Sequence, residues 1–413
     1  WYDPLLPPPD KTTAFIKSPK ILYHKINIWY NKDNNGGSMA TKKKIRLKEQ
    51  YIKILEVIGV IIAIILGLFL FYRSNINDLK KIGYSEKASK NILIKFKKKE
   101  VLQLGKNKTL NKAFESSDYN EKNFTIYPKI KYQNQKHLIK NINTLIKKGY
   151  SNDQISMILS HGDDNDVTEF AKRKKVRYLE EFYSLDYAKL KYYDRYLEYM
   201  DNSREDEETT VLIVNLDMDK EEYKDPTIVK EFSYTMLVNK HRELTEKFTP
   251  KDLVKITEPY TTQENIKANR TAYAAAKKMI DAAEKEGYYL TINSAYRSYK
   301  DQEEITKTYQ QLYGDAYVEK YVLKPGFSEH QTGLGLDIGS KKTSVFANST
   351  EYNWIKDNCY KYGFIYRFKP KFEDITGIRH EAWHYRYVGK KVAKEIYEKD
   401  MSLEEYYAKH IDK

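Results

Sequence analysis

Cysteine is almost missing from this chain: Cys359 stands alone among 413 residues. An internal disulfide is therefore excluded, and so is a metal cluster held by cysteines only. Its setting, "WIKDNCYKYGF", reads as helical and gives Cys359 the role of a small buried hydrophobe rather than a nucleophile. Also lacking is any module with aromatic and basic residues at the fixed spacing of a nucleic-acid reader, so no nucleic acid is expected as partner. "GLGLDIG", residues 333–339, has the wrong glycine spacing for a dinucleotide site and precedes a strand instead of following one. "HGDDNDVTEF" has the acid density of a calcium loop without its spacing, and reads as a capped turn into a helix. What is plentiful is positive charge: 72 Lys+Arg face 58 Asp+Glu, a net +14. Such a field favours an anionic partner, with anionic cell-wall polymers or lipid headgroups as candidates, or else records a lysine-heavy composition. Hydrophobic residues make up 41%, enough for a real core.

One long apolar run breaks the polar texture. "VIGVIIAIILGLFLFY", Val57 to Tyr72, spans about 24 Å as a helix, and adding Ile54 and Leu55 brings residues 54–72 near the ~30 Å of a bilayer core. Lys42, Lys43, Lys44, Arg46, Lys48 and Lys53 precede it, while Arg73, Lys80, Lys81 and Lys87 follow. That excess makes residues 39–53 a cytoplasmic flank and sends the bulk of the chain outside the cell membrane. No small-x-small cleavage site follows the run, so it reads as an uncleaved single-pass anchor. Residues 1–38 read differently. The chain begins at Trp1, Gly36-Gly37 can be encoded by a ribosome-binding sequence, and Met39 directly precedes the basic flank. These residues are expected to be translated upstream DNA rather than natural protein.

Residues 73–208 read as an all-helical, weakly repetitive spacer. "LKKIGYSEKASKNIL" at 79–93 recurs as "LIKKGYSNDQISMIL" at 145–159, a glycine ending one helix and a serine capping the next. The alternative role for these helix-turn-helix pairs is a wall- or partner-binding module. A helix running to Met200 is expected to carry Tyr183, Tyr187, Leu190, Tyr193 and Leu197 on one packed stripe. "DNSREDEE" is a charged linker, and "TTVLIVNL" beyond it is expected to open a strand.

From 209 to 413 the texture changes to short strands and helices, with its core at about 234–400. "TAYAAAKKMIDAAEKEG" is a helix stopped by Gly287, "YYLTINSAYRS" a strand delivering Arg297 at its exit, and "SYKDQEEITKTYQQLY" a helix begun by a Ser cap. "RHEAWHYR" contains His-Glu-x-x-His, the signature of helical zinc proteases, but "YRYVG" after His384 lacks the glycine and histidine that bring a metzincin its third ligand. His330 and Asp337 on a loop-strand edge, joined by His384, instead make a three-ligand set with an open fourth position, as catalytic zinc requires. Glu381, three residues before His384, can then face the open position. His380 is left as incidental, or as a support behind the site.

"SAYRSYKDQ", "PGFSEHQTGLGLDIG", "WIKDNCYKYGFIYRF" and "EAWHYRYVG" together resemble the VanY-type zinc D-alanyl-D-alanine carboxypeptidases over about residues 234–400. The resemblance implies an α+β fold: an LAS-type zinc peptidase domain with a small antiparallel sheet flanked by helices, preceded by the all-α region and one transmembrane helix. It implies one Zn2+ on His330, Asp337 and His384, Glu381 as general base, and Arg297 as the catalytic and substrate-binding arginine. Ser328 falls where the family holds the substrate's terminal carboxylate, and Gln302 where it has a supporting glutamine, both as substrate-binding residues. The implied reaction is removal of the C-terminal D-alanine from a peptidoglycan stem peptide. Gly335 stands where the family has alanine, Ala295 where it has glycine and Ala382 where proline is common. Alternatives are an L,D-carboxypeptidase or endopeptidase on the same fold, a catalytically idle wall-binding protein, and a membrane-tethered nucleic-acid binder.

Overall fold

The computed structural model describes residues 49–174 and 176–412. The upstream segment 1–38 and the flank lysines before Glu49 lie outside the described residues. The described residues fall into two units, 49–77 and 78–412.

The described part of the first unit belongs to a helix, Glu49–Lys81, whose most apolar 18-residue window has a mean hydropathy of 3.0 with 0% of it buried. Ile61, Leu66, Leu68 and Phe71 all stand exposed on it. It is long and apolar enough to cross a membrane by length and composition.

The second unit opens with the repeat. Ser85 and Ser151 each accept a backbone N–H from the residue three ahead, and Gln154 completes a capping box on the second copy. Gly83 and Gly149, at φ +100° and +86°, end the preceding helices in the left-handed region that favours glycine. The expected single helix up to Met200 is instead three pieces, Asp164–Phe170, Leu179–Tyr183 and Tyr193–Ser203. Tyr178 breaks it at φ 51°. The tyrosines are core all the same, with Tyr183, Tyr187 and Tyr193 buried together with Leu190.

The strand expected at "TTVLIVNL" is a helix, Glu207–Asn215. Asp206 caps it by accepting the Thr209 N–H, and two glutamates occupy its first turn. Burial of every residue from Thr210 to Asn215 overrides the β-branched preference of this stretch. No break appears at residue 208. One hydrophobic core joins Leu110, Ile142, Phe182 and Val211 of the helical stretch to Ile365, Val388, Ile396 and Leu403.

The C-terminal part is a mixed helix and sheet structure. A four-stranded antiparallel sheet runs in the order Leu290–Ser294, Gly335–Ser340, Glu381–Tyr387, Phe364–Phe368. The Arg270–Lys285 helix, capped by Asn269, packs Ala276, Met279 and Ile280 into a core with Leu290, Ile292, Leu336 and Ile338 of the sheet. Cys359 is buried in this core, where burial pushes its thiol up to about 12.

Candidate metal and peptidase site

Each site residue is delivered by a different local device. Asp337 and His384 are direct partners on neighbouring strands, so the sheet register alone sets them side by side. His330 lies in the short turn Glu329–Thr332, which Ser328 caps by accepting the His330 N–H. Gly333 closes that turn at φ +69°, returning the chain into the strand that carries Asp337. Glu381 and His384 share a strand but are three apart, which in a regular strand would point them to opposite faces. The pairing is irregular at this place: Tyr366 and Phe368 of one strand face Tyr385 and Glu381 of the other. The additional residues between them form a bulge that turns both side chains into one cleft. A strand here disposes of the helical His-Glu-x-x-His reading.

One ligand atom from each of His330, Asp337 and His384 lies within 4.8 Å of the other two. His330 Nε2 is 3.4 Å and His384 Nδ1 3.0 Å from Asp337 Oδ1. His330 Nδ1 sits 2.6 Å from the Ala295 carbonyl, which only accepts, so the proton rests on Nδ1 and the Nε2 lone pair is free. Burial holds the His330 imidazole below its ordinary value, in the neutral form a metal needs. Burial would raise the Asp337 carboxyl, but the two histidines outweigh it and hold it well below the carboxylate range. For His384 burial pulls downward, yet hydrogen bonds to Asp337 and Glu329 prevail and hold it up at about 9. Two imidazoles and a carboxylate converging in this way fit a divalent ion of the zinc type.

Glu381 Oε2 is 4.0 Å from His384 Nδ1, and burial pushes its carboxyl up to about 7. Arg297 lies three residues past its strand, its backbone N–H bonded to the His330 carbonyl. Its Nη1 donates to Gln302 Oε1 at 2.8 Å, and Gln302 Nε2 donates to the Leu323 carbonyl at 2.7 Å. Arg297, Gln302, Ser328, Glu381 and the three ligand candidates line one cleft of about 620 Å3, in the size range of small-ligand sites. His380 lines the same cleft without joining the ligand trio, and its Nε2 is paired with the Tyr366 hydroxyl.

Behind the trio stands a group that sequence reasoning missed. Glu329 is 2% exposed, with Oε2 3.2 Å from His384 Nε2. Its Oε1 meets Arg367 Nε and Arg386 Nη1, each at 2.8 Å. Arg367 in turn forks onto both Glu404 oxygens at 2.6 and 2.8 Å. The available signal was Arg386: two residues past His384 on a strand, it shares the inward face and demands a buried counter-charge.

The D-alanyl-D-alanine carboxypeptidase model of the VanY family matches residues 265–390. YodJ of Bacillus subtilis (strain 168) is 42% identical over 191 residues, 44% of this chain and 70% of YodJ. A D-alanyl-D-alanine carboxypeptidase of Enterococcus faecalis (strain ATCC 700802 / V583) is 39% identical over 137 residues, 31% of this chain and 51% of that enzyme. Among solved structures, the LdcB LD-carboxypeptidase aligns at 39% identity and a TM-score of 0.42 over 46% of this chain and 92% of LdcB. The matched stretch contains the sheet and all seven cleft residues anticipated from the sequence. With the family model and this share of YodJ in agreement, the chain belongs to the VanY family of D-alanyl-D-alanine carboxypeptidases, which are metallopeptidases.

Proposed function

We propose that this chain is a zinc-dependent D,D-carboxypeptidase that removes the C-terminal D-alanine from peptidoglycan stem peptides. The observation that carries this is the convergence of His330, Asp337 and His384 within 4.8 Å, beside a carboxyl group held near neutrality. His330 Nε2, an Asp337 oxygen and His384 Nδ1 would hold the ion. When bound, zinc supplies a Lewis acid that polarises the scissile carbonyl and brings the pKa of a water toward ~7.

The chain's own groups do the rest. Glu381 takes the proton of the attacking water, and a carboxyl near 7 suits that task because it can both accept and return a proton at physiological pH. It then gives that proton to the amine of the departing D-alanine. Arg297 keeps donors beyond the Nη1 bonded to Gln302, and its half-buried guanidinium binds the developing oxyanion or the substrate's terminal carboxylate. Ser328 and Gln302 complete the carboxylate pocket.

The layout we propose puts residues 54–72 in the membrane, the basic flank in the cytoplasm and the peptidase outside, where its substrate is. The test is incubation of the zinc-loaded full chain in detergent with defined penta- and tetrapeptide stems, read by mass spectrometry. D-alanine released from the pentapeptide only supports the D,D-activity. Release from the tetrapeptide shows L,D-activity, cleavage within the stem an endopeptidase, and no cleavage a wall-binding protein.

A further inference from the structure

His384 presents two nitrogens, and only one can face the metal. Nδ1 looks toward Asp337 at 3.0 Å, while Nε2 looks toward Glu329 at 3.2 Å. The ring fits a slot with little play. A Cβ built on Gly335 would lie 3.0 Å from its Cε1, and the Phe368 ring sits 5.1 Å away, centroid to centroid.

On the proposed metal reading, we infer that Glu329 is a positioning residue that keeps the His384 proton on Nε2 and aims Nδ1 at the metal, and that Glu404 holds Glu329 in place through Arg367. A carboxylate behind a ligating imidazole fixes its tautomer and raises its basicity. Glu329 can do this only if it stays ionised and still, and its surroundings provide both. Arg367 and Arg386 grip Oε1 and leave Oε2 for the imidazole. Two arginines on one glutamate would leave an excess buried cation, and Glu404, 0% exposed, balances it with a two-point contact.

This chain of contacts has a consequence for the layout of the protein. Glu404 belongs to the helix Leu403–His410, beyond the family-matched segment that ends at residue 390. That helix is fastened to the helical stretch by Lys409–Glu208 at 2.8 Å, and the next residues by Asp412–Lys189 at 3.0 Å. Residues outside the matched peptidase segment thus help to set the aim of a metal ligand inside it.

The experiment measures zinc affinity by chelator competition on the full chain in detergent, for wild type, Glu329→Gln, Glu404→Gln and Phe182→Leu. The last variant removes ring volume from the hydrophobic core without touching a charge of the site, and sets the effect of lost stability alone. The Nε2–H of His384 is observed by proton–nitrogen NMR of the zinc-loaded wild type. Expected are a hydrogen-bonded Nε2–H in the wild type, affinity about 10–100-fold weaker in Glu329→Gln, several-fold weaker in Glu404→Gln, and unchanged in Phe182→Leu. A folded Glu329→Gln with wild-type affinity overturns the inference. If that variant does not fold, unchanged affinity in Glu404→Gln overturns it, as does zinc on Nε2 of His384 in the wild type. A wild type that binds no zinc overturns the metal reading itself, and this inference with it.

Discussion

Among the helices before residue 208, charges pair in the open: Arg173 with Asp194 has side chains 39% and 64% exposed, and Lys172 with Glu169 65% and 67%. Around the sheet, Glu329, Arg367, Arg386 and Glu404 pair at 0–2% exposure. The first kind of pair gains little, because water screens it and two long side chains must be held still. The second kind is expensive to assemble, and removing one partner strands the others without water. A chain this rich in lysine had cheap surface for its charges, so the buried four stand out as the ones a nearby task requires. That task, on the present reading, is holding a histidine.

The contrast can be broken or sharpened by substitution. The largest effect is expected from Glu381→Gln, which should leave zinc bound, as metal analysis would show, while turnover falls about 10²–10⁴-fold. Next, Arg367→Met should cost about 3–5 kcal/mol in denaturant unfolding, since it leaves Glu329 and Glu404 without a shared cation.

A pH effect of intermediate size is expected in the metal-free protein. The folded state holds the His384 imidazole at about 9, above its ordinary 6.5. This group's stabilisation is therefore complete below about 6.5 and disappears as pH rises through about 9, a loss on the order of 3 kcal/mol. Glu381, raised from 4.5 to about 7, acts in the same direction over a lower window. Melting temperatures of the chelator-treated protein from pH 5 to 10 should fall accordingly, and zinc should flatten the slope by displacing the proton. The smallest effect belongs to Arg173→Met, expected to change stability by less than about 1 kcal/mol at any salt concentration.

Local signals in the sequence were read well where chain geometry answers to nearby residues. The serine caps at 85, 151 and 298 and the glycine stops at 83, 149 and 287 all lie where the spacing put them. The helix over 207–215 was misread, since "TTVLIVNL" has strand composition and only burial on all sides makes it helical. The tyrosine stripe gave the correct core but not the breaks between Phe170 and Tyr193, because a left-handed residue such as Tyr178 announces itself by no composition rule. At the cleft, His330, Asp337, His384 and Glu381, anticipated from motif spacing, and Arg297, Ser328 and Gln302, implied by the family resemblance, line one cavity. The buried charges behind them were invisible for a physical reason. Glu329, Arg367 and Glu404 look in sequence like any solvated charge, and only tertiary contact tells a hidden carboxylate from a wet one.

Asp337 and His384 face each other as direct partners across two adjacent strands of the sheet. A slip of one residue in that register would turn one of the two side chains to the other face of the sheet, so the pair answers to the whole backbone ladder and not to its own side chains alone.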